Sequence, residues 1–453
     1  MLELLTLGAC RQVGKSCFIL KTLEGLIMLD CGLHPSYDDP QRYPNFELVF
    51  SSGPLRAVFI THCHADHIGA LPILTERWNY RGPIYMSAPT KELAYFILED
   101  CLGAWSDQDR GVVRDEEEAH SYTPCQVKSC LSKVQLIEPG MVITIGKSVQ
   151  VHSLIAGHVL GACMFFVSAV NCRFLYTGDF SGCTFHLMPA QIGAMPGTPD
   201  VILCEATYAT SLKDTRLNKQ AEFFQSIVDC LLDGGKVLIP VFAVGRAQEL
   251  LWLLEMYWKR FQLRFPIFFS AKNAERVLYV YTKYAEDGWT TKECRELEWN
   301  AIRVVDPEVL CSWVTQSDVP LVALTTPGTL ARGLSLQIFQ WIAPEEKNLL
   351  IIPHFCLYGT MEQRMLEKKK GEEGEEESIP IRCKTMNLHF GFHWDTRDLL
   401  LFFSFWKPSC VVLVHGEGQK MDYLARVIKD ELGIQDCWVP QEEQWLTCNY
   451  PTK

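Results

Sequence analysis

The residues best suited to chemistry lie together in Thr61-His62-Cys63-His64-Ala65-Asp66-His67, three imidazoles and a carboxylate within positions 62–67. His62 and His64, two apart, can reach one metal ion from an extended backbone, and Asp66 and His67, past the bend, can face a second. Nitrogen and oxygen donors of this kind suit zinc, with one coordination position left open for water. A merely solvated loop would not call for so many imidazoles in so short a stretch.

Such a cluster has to be held at a strand end. Ala57-Val58-Phe59-Ile60, directly before it, is an apolar run of β-branched and aromatic residues that predicts a buried strand. Loops at strand ends are where rigid scaffolds display reactive side chains. The arrangement recurs: strand-like runs lead to Asp179 after Phe174–Thr177, to Glu205 after Val201–Cys204, and to His415 after Cys410–Val414. His158 lies in Ala156-Gly157-His158-Val159-Leu160-Gly161, between strands predicted within 149–166. Asp30 closes the run Gly25–Leu29 and either forms an Asx-type turn or orients a ligand histidine from behind. Gly14-Lys15-Ser16 hints at a phosphate cradle, but position 9 is Ala where that motif needs Gly, so a β-hairpin over 8–17 is expected.

Between these segments, residues 86–140 read as helical, with apolar residues at helical spacing in Lys91–Leu102. From about 209 strand and helix alternate: helix 217–232, strand 236–242, helix 247–260, strand 266–270, helix 273–284, then strands 321–328 and 348–353. That alternation predicts a parallel α/β domain over 209–380, inserted between chain segments 1–208 and 381–453 of a first domain. Arg246, after Gly245 at a helix start, is a candidate phosphate contact, with a structural ion pair as the alternative. The charge run Lys368–Ser378 reads as a solvated loop.

Composition sets outer bounds. A chain of 453 residues exceeds one ordinary core, so two domains are the default. No apolar run approaches the roughly 18 residues of a membrane span, and Met1–Leu7 lacks a basic leader region. The 19 cysteines are odd in number and form no C-x-x-C pair, which fits a reduced compartment, the nucleus or cytoplasm. A net charge of −12 argues against a nucleic-acid coat protein. It does not argue against a nuclease, where metal ions supply positive charge locally.

The set Asp30, His62-x-His64-x-Asp66-His67, His158 and Asp179 resembles the metallo-β-lactamase fold. Glu205, His393 and His415, with the inserted domain, resemble its β-CASP branch of nucleases, as do Leu238–Glu249 and Val414-His415-Gly416-Glu417. Within the branch, Asp38–Pro44, Gly82–Met86, Ala206–Thr210 and Ser335–Phe339 are most similar to the Integrator-type endonucleases. The endonucleases of the cleavage and polyadenylation specificity factor come next.

The resemblance implies an αββα domain carrying two zinc ions and an inserted parallel α/β domain. On that template His62, His64 and His158 hold one zinc, Asp66, His67 and His415 hold the other, and Asp179 bridges them. His393 is the candidate acid, oriented by Glu205, while Asp30 orients a ligand. A histidine at 415, where DNA-processing relatives generally carry an apolar residue, points to RNA. The implied function is RNA endonuclease, acting on nascent transcripts within an Integrator-like complex in the nucleus. Pre-mRNA 3′-end cleavage and a catalytically weak scaffold subunit are the alternatives. The implied partners are RNA, a non-catalytic β-CASP subunit and scaffold subunits, with no membrane. Three departures stand out: His354, the glycine-free Ala271-Lys272-Asn273, and Phe392 and Trp394 flanking His393. The chain ends at Lys453, and from this the extension through which relatives pair is expected to be missing or cut off.

Overall fold

The computed structural model describes residues 2–37, 40–105, 122–170, 172–182, 186–212, 216–295, 298–330, 332–353, 380–388 and 393–449. The charge run at 368–378, with His120, His354, His389 and Phe392, lies outside the described residues. In chain order the strands are β1 Leu2–Thr6, β2 Phe18–Thr22, β3 Gly25–Leu29, β4 Leu55–Phe59, β5 Ile84–Ser87, β6 Val134–Ile137, β7 Val142–Ile145, β8 Val149–Ile155, β9 Cys163–Ala169 and β10 Cys172–Tyr176. There follow β11 Val201–Glu205, β12 Lys236–Pro240, β13 Ile267–Ser270, β14 Ile302–Val304, β15 Leu321–Thr325, β16 Leu349–Ile352, β17 Lys384–Asn387, β18 Cys410–Val414, β19 Asp436–Trp438 and β20 Gln444–Cys448.

The chain divides into two compact units, Met1–Leu212 with Phe392–Lys453, and Lys213–Gly391. In the first, one seven-stranded sheet runs β20-β1-β2-β3-β4-β5-β6 and a second runs β19-β18-β11-β10-β9-β8-β7. Strands β11 and β18 are buried at every position, as continuous apolar runs covered on both faces must be. The sheets meet through aromatic side chains, Phe59 against Phe165 with ring centroids 5.2 Å apart and Phe18 against Tyr176 at 5.4 Å. Helix Ala88–Trp105 packs on β5 and β6, and helix Gly418–Leu432 packs on β18 and β19. Helices therefore flank a pair of stacked sheets, the αββα arrangement.

The second unit is a six-stranded parallel sheet in the order β14-β13-β15-β12-β16-β17. Leu238, Phe268, Leu321 and Leu350 from its strands pack with Leu310, Ile338 and Phe339 from two helices. Alternating strands and helices give this parallel architecture because each crossover helix covers a face of the sheet.

Two sequence expectations are corrected. Residues 86–140 are not helical throughout: Val134–Ile137 is an edge strand, buried only at its two ends, and so short that its pattern does not stand out from a helical one. The expected return to the first domain at 381 comes later, because Lys384–Asn387 pairs in parallel with Leu349–Ile352 and extends the inserted sheet.

The loop 7–17 closes a hairpin between β1 and β2, with Leu7 N donating to Cys17 O at 2.9 Å. The exit of β3 is stitched to the turn at 64–67 by backbone bonds: Cys31 N to His67 O at 2.8 Å and Leu33 N to Ala65 O at 3.0 Å. Ser16 N donates to Asp66 O at 2.7 Å on the same surface. Gly32 makes this approach possible, since a Cβ there would lie 1.8 Å from Asp66 O. Gly32→Ala should therefore lower stability by about 1–3 kcal/mol through overpacking, seen as a lower thermal midpoint. Gly193→Ala, where a Cβ would meet nothing within 4 Å, should leave the midpoint within about 0.5 kcal/mol of wild type.

Candidate metal centre

The sheets bring the ligand-type residues together by aligning strand ends. Asp30 follows β3 and the His-Asp turn follows β4, its parallel neighbour. Asp179 lies just beyond β10, Glu205 ends β11 and His415 follows β18, three strands that are also parallel neighbours. His158 comes from the turn between β8 and β9. His64 is extended and Ala65–Ile68 is a single helical turn, which separates Asp66 and His67 from His62 and His64.

Three groups that could hold a metal ion result, and two of them share Asp179. His62, His64, His158 and Asp179 form the first, Asp66, His67 and His415 the second, and Asp179, Glu205 and His393 the third, each with donor atoms within 4.8 Å of one another. His64 Nδ1 lies 3.0 Å from His62 Nε2 and 3.1 Å from His158 Nε2. Asp179 Oδ2 is 3.6 Å from His158 Nε2 and 3.9 Å from His62 Nε2. A zinc ion with bonds of about 2.0–2.1 Å in a tetrahedron would place its donors roughly 3.4 Å apart, close to this spacing. In the second group Asp66 Oδ2 is 3.0 Å from His415 Nε2 and 3.7 Å from His67 Nε2. Asp179 Oδ1 lies 3.4 Å from His415 Nδ1 and 3.5 Å from His67 Nε2, and it is buried without accepting a hydrogen bond. A buried carboxylate oxygen facing two imidazoles with no donor aimed at it fits a cation between them.

The electrostatics match that fit. Burial, reinforced by the neighbouring imidazoles, pushes His62 well below its usual range and His64 down to about 4, so both rings are neutral and able to ligate. Burial would also lower His67, but Asp179, Asp66 and Asp30 outweigh it and raise the ring to about 10. Burial opposes ionisation of Asp66, yet His67 and His415 hold it well below the usual carboxylate range. Burial raises Asp179.

Behind the ligands lies Asp30, fully buried and accepting at both oxygens. Thr61 N donates to Oδ1 at 2.7 Å, while Thr61 Oγ1 at 2.8 Å, Tyr176 OH at 2.6 Å and His67 Nδ1 at 2.8 Å all donate to Oδ2. Asp30 thus orients His67, and of the two readings offered by its sequence position the geometry favours this one. Thr61 and Tyr176 carry no signal in the sequence that would single them out. Nor does Ser16, whose Oγ lies 3.4 Å from His67 Nε2.

On the other side His393 Nδ1 donates to Glu205 Oε1 at 2.7 Å and lies 4.0 Å from Asp179 Oδ2. Burial would raise Glu205, but His393 beside it holds it below the usual range. The half-buried indole of Trp394 packs at a tilt against Phe180 at 4.5 Å and edge-on against Phe402 at 5.2 Å. Arg246 belongs to the second unit, where it forms an ion pair at 3.4 Å with the buried Glu249 of its own helix.

The metallo-beta-lactamase superfamily matches residues 11–199 of the chain, and the Beta-Casp domain matches residues 247–365. Residues 378–440 match the Zn-dependent metallo-hydrolase RNA specificity domain. The chain is 35% identical to cleavage and polyadenylation specificity factor subunit 3-II of Arabidopsis thaliana, over 97% of its own length and 71% of that relative's. The chain belongs to the β-CASP family of metallo-β-lactamase hydrolases. This β-CASP chain is also 34% identical to the Integrator complex subunit 11 homolog of Dictyostelium discoideum, over 97% of itself and 60% of the relative. With Endoribonuclease YSH1 of Kluyveromyces lactis it shares 31% identity, over 93% of itself and 56% of the relative. It spans from little over half to under three quarters of the length of these relatives.

Metallo-β-lactamase hydrolases depend on metal, and the His/Asp groups above are the β-CASP chain's candidate ligands. Loading a cation must displace the proton that His67 carries up to about pH 10, so uptake should release protons at pH 7 and affinity should rise with pH. Acidification of an unbuffered solution on titration with zinc measures this. Asp30→Asn should weaken uptake about 10–100-fold in a chelator competition, because the partner that orients His67 is changed.

Proposed function

We propose that this β-CASP chain is a two-zinc RNA endonuclease acting on nascent transcripts in the nucleus, in an Integrator-like complex. The observation that carries the reading is the convergence of the seven ligand side chains with the His393–Glu205 pair on one set of strand ends. The match of residues 378–440 to an RNA specificity domain, and the similarity to a protein named an endoribonuclease, support RNA as substrate. The similarity to an Integrator subunit 11 homolog supports the complex, with scaffold subunits and a non-catalytic β-CASP subunit as partners. Similarity to a polyadenylation-factor subunit supports pre-mRNA 3′-end cleavage as the second reading.

Zinc ions held here would supply an ionised water at neutral pH and positive charge facing a phosphodiester. His62, His64 and His158 would hold one ion and Asp66, His67 and His415 the other, with Asp179 serving both. The protein's own part is orientation and proton transfer. Glu205 holds the His393 ring by its Nδ1 and stabilises the charged imidazolium. His393 then passes a proton to the departing 3′-oxygen, a task suited to an imidazole.

A nucleophile from water, rather than the RNA 2′-hydroxyl, leaves 5′-phosphate and 3′-hydroxyl ends. Finding 2′,3′-cyclic phosphate ends would refute this chemistry. Asp66→Ala should lose metal. His393→Ala should keep metal while cleaving model RNA about 10²–10⁴ times more slowly. Equal rates for wild type and His393→Ala would remove that residue from the mechanism. A metal-loaded protein that cleaves no faster than either variant would point to the scaffold reading instead.

A further inference from the structure

We propose that Thr207 is a positioning residue: its hydroxyl sets the tautomer of His415 and links that ligand to the Glu205–His393 pair. The inference rests on the metal-site reading above and adds a residue to it.

Thr207 stands two positions beyond Glu205, just past the end of β11. Its Oγ1 has three neighbours: Glu205 Oε2 at 2.6 Å, His415 Nδ1 at 3.0 Å and His415 O at 3.2 Å. A hydroxyl carries one proton and two acceptor lone pairs. The carboxylate is both the nearest acceptor and the charged one, so the proton goes to Glu205. The oxygen can then only accept from the ring, and Nδ1 of His415 must carry a hydrogen. The lone pair is thereby left on Nε2, which lies 3.0 Å from Asp66 Oδ2 within the second ligand group.

His415 needs such an anchor because its backbone is in the left-handed region at φ 53°, so regular strand geometry does not aim its ring. Two backbone bonds hold this corner: His415 N donates to Ala9 O at 2.7 Å and Ala206 N to Val414 O at 2.8 Å. The ring direction and tautomer fall to Thr207. Glu205 completes the link, since its Oε1 accepts from His393 Nδ1 at 2.7 Å and from Phe180 N at 3.1 Å. One carboxylate thus orients the candidate acid directly and a metal ligand through a single hydroxyl.

The test compares wild type with Thr207→Val, which keeps the shape and removes the hydroxyl, and Thr207→Ser, which restores the hydroxyl. Metal content and affinity are read by competition between zinc and a chelating dye, and ligand geometry by the visible spectrum of the cobalt(II)-loaded proteins. For Thr207→Val we expect one metal equivalent to weaken by about 10–100-fold and the cobalt spectrum to change. For Thr207→Ser both should return to within a few-fold of wild type, and the metal-free forms of all three should melt alike. Unchanged affinity and spectrum in Thr207→Val would overturn the assignment, as would a Thr207→Ser protein that behaves like Thr207→Val. A wild type that binds two metals but cleaves no RNA would sink the proposed function and leave this inference standing.

Discussion

His64 Nδ1 lies about 3 Å from one nitrogen of His62 and one of His158, out of water, with a single proton or a single lone pair to meet both. The cluster of His62, His64 and His158 is organised around that constraint. Protons could relieve it, but burial drives His62 and His64 toward the neutral form. A shared cation would meet all three rings through their lone pairs at once, and Asp179, with a buried oxygen that accepts no hydrogen bond, would supply balancing negative charge.

Around that centre the protein spends its buried polar groups on orientation. Asp30 gathers a backbone N–H, two hydroxyls and an imidazole, and its neighbour Gly32 lets the backbone of the ligand turn lie directly against it. Glu205 does the same on the opposite side with His393, Phe180 N and Thr207. Each carboxylate is fully buried, so each has to be satisfied completely to be tolerable. Complete satisfaction is also what leaves the rings they touch with a defined direction.

The extra architecture serves the same end. Parallel pairing of β3 with β4 and of β10, β11 and β18 aligns carboxyl ends, so ligands far apart along the chain arrive at one place. The inserted unit builds its own core on a separate six-stranded sheet, with Phe268 and Leu350 packed beneath its helices.

Much of this was legible in the sequence, for a physical reason. Ligand-type side chains at short spacing mark His62 to His67 as candidates, and an apolar run before each marks Asp179, Glu205 and His415 at the ends of predicted strands. The parallel α/β insert is equally plain, because its strand and helix periods differ and alternate cleanly. What only the tertiary structure decided were matters of contact between distant segments. Nothing in the one-dimensional pattern distinguishes Thr61, Tyr176 or Thr207 from other buried hydroxyls, since their roles come from which oxygen each one meets. The edge strand Val134–Ile137 and the late return past Asn387 were hidden likewise, because a four-residue strand is specified by its pairing partner more than by its own residues.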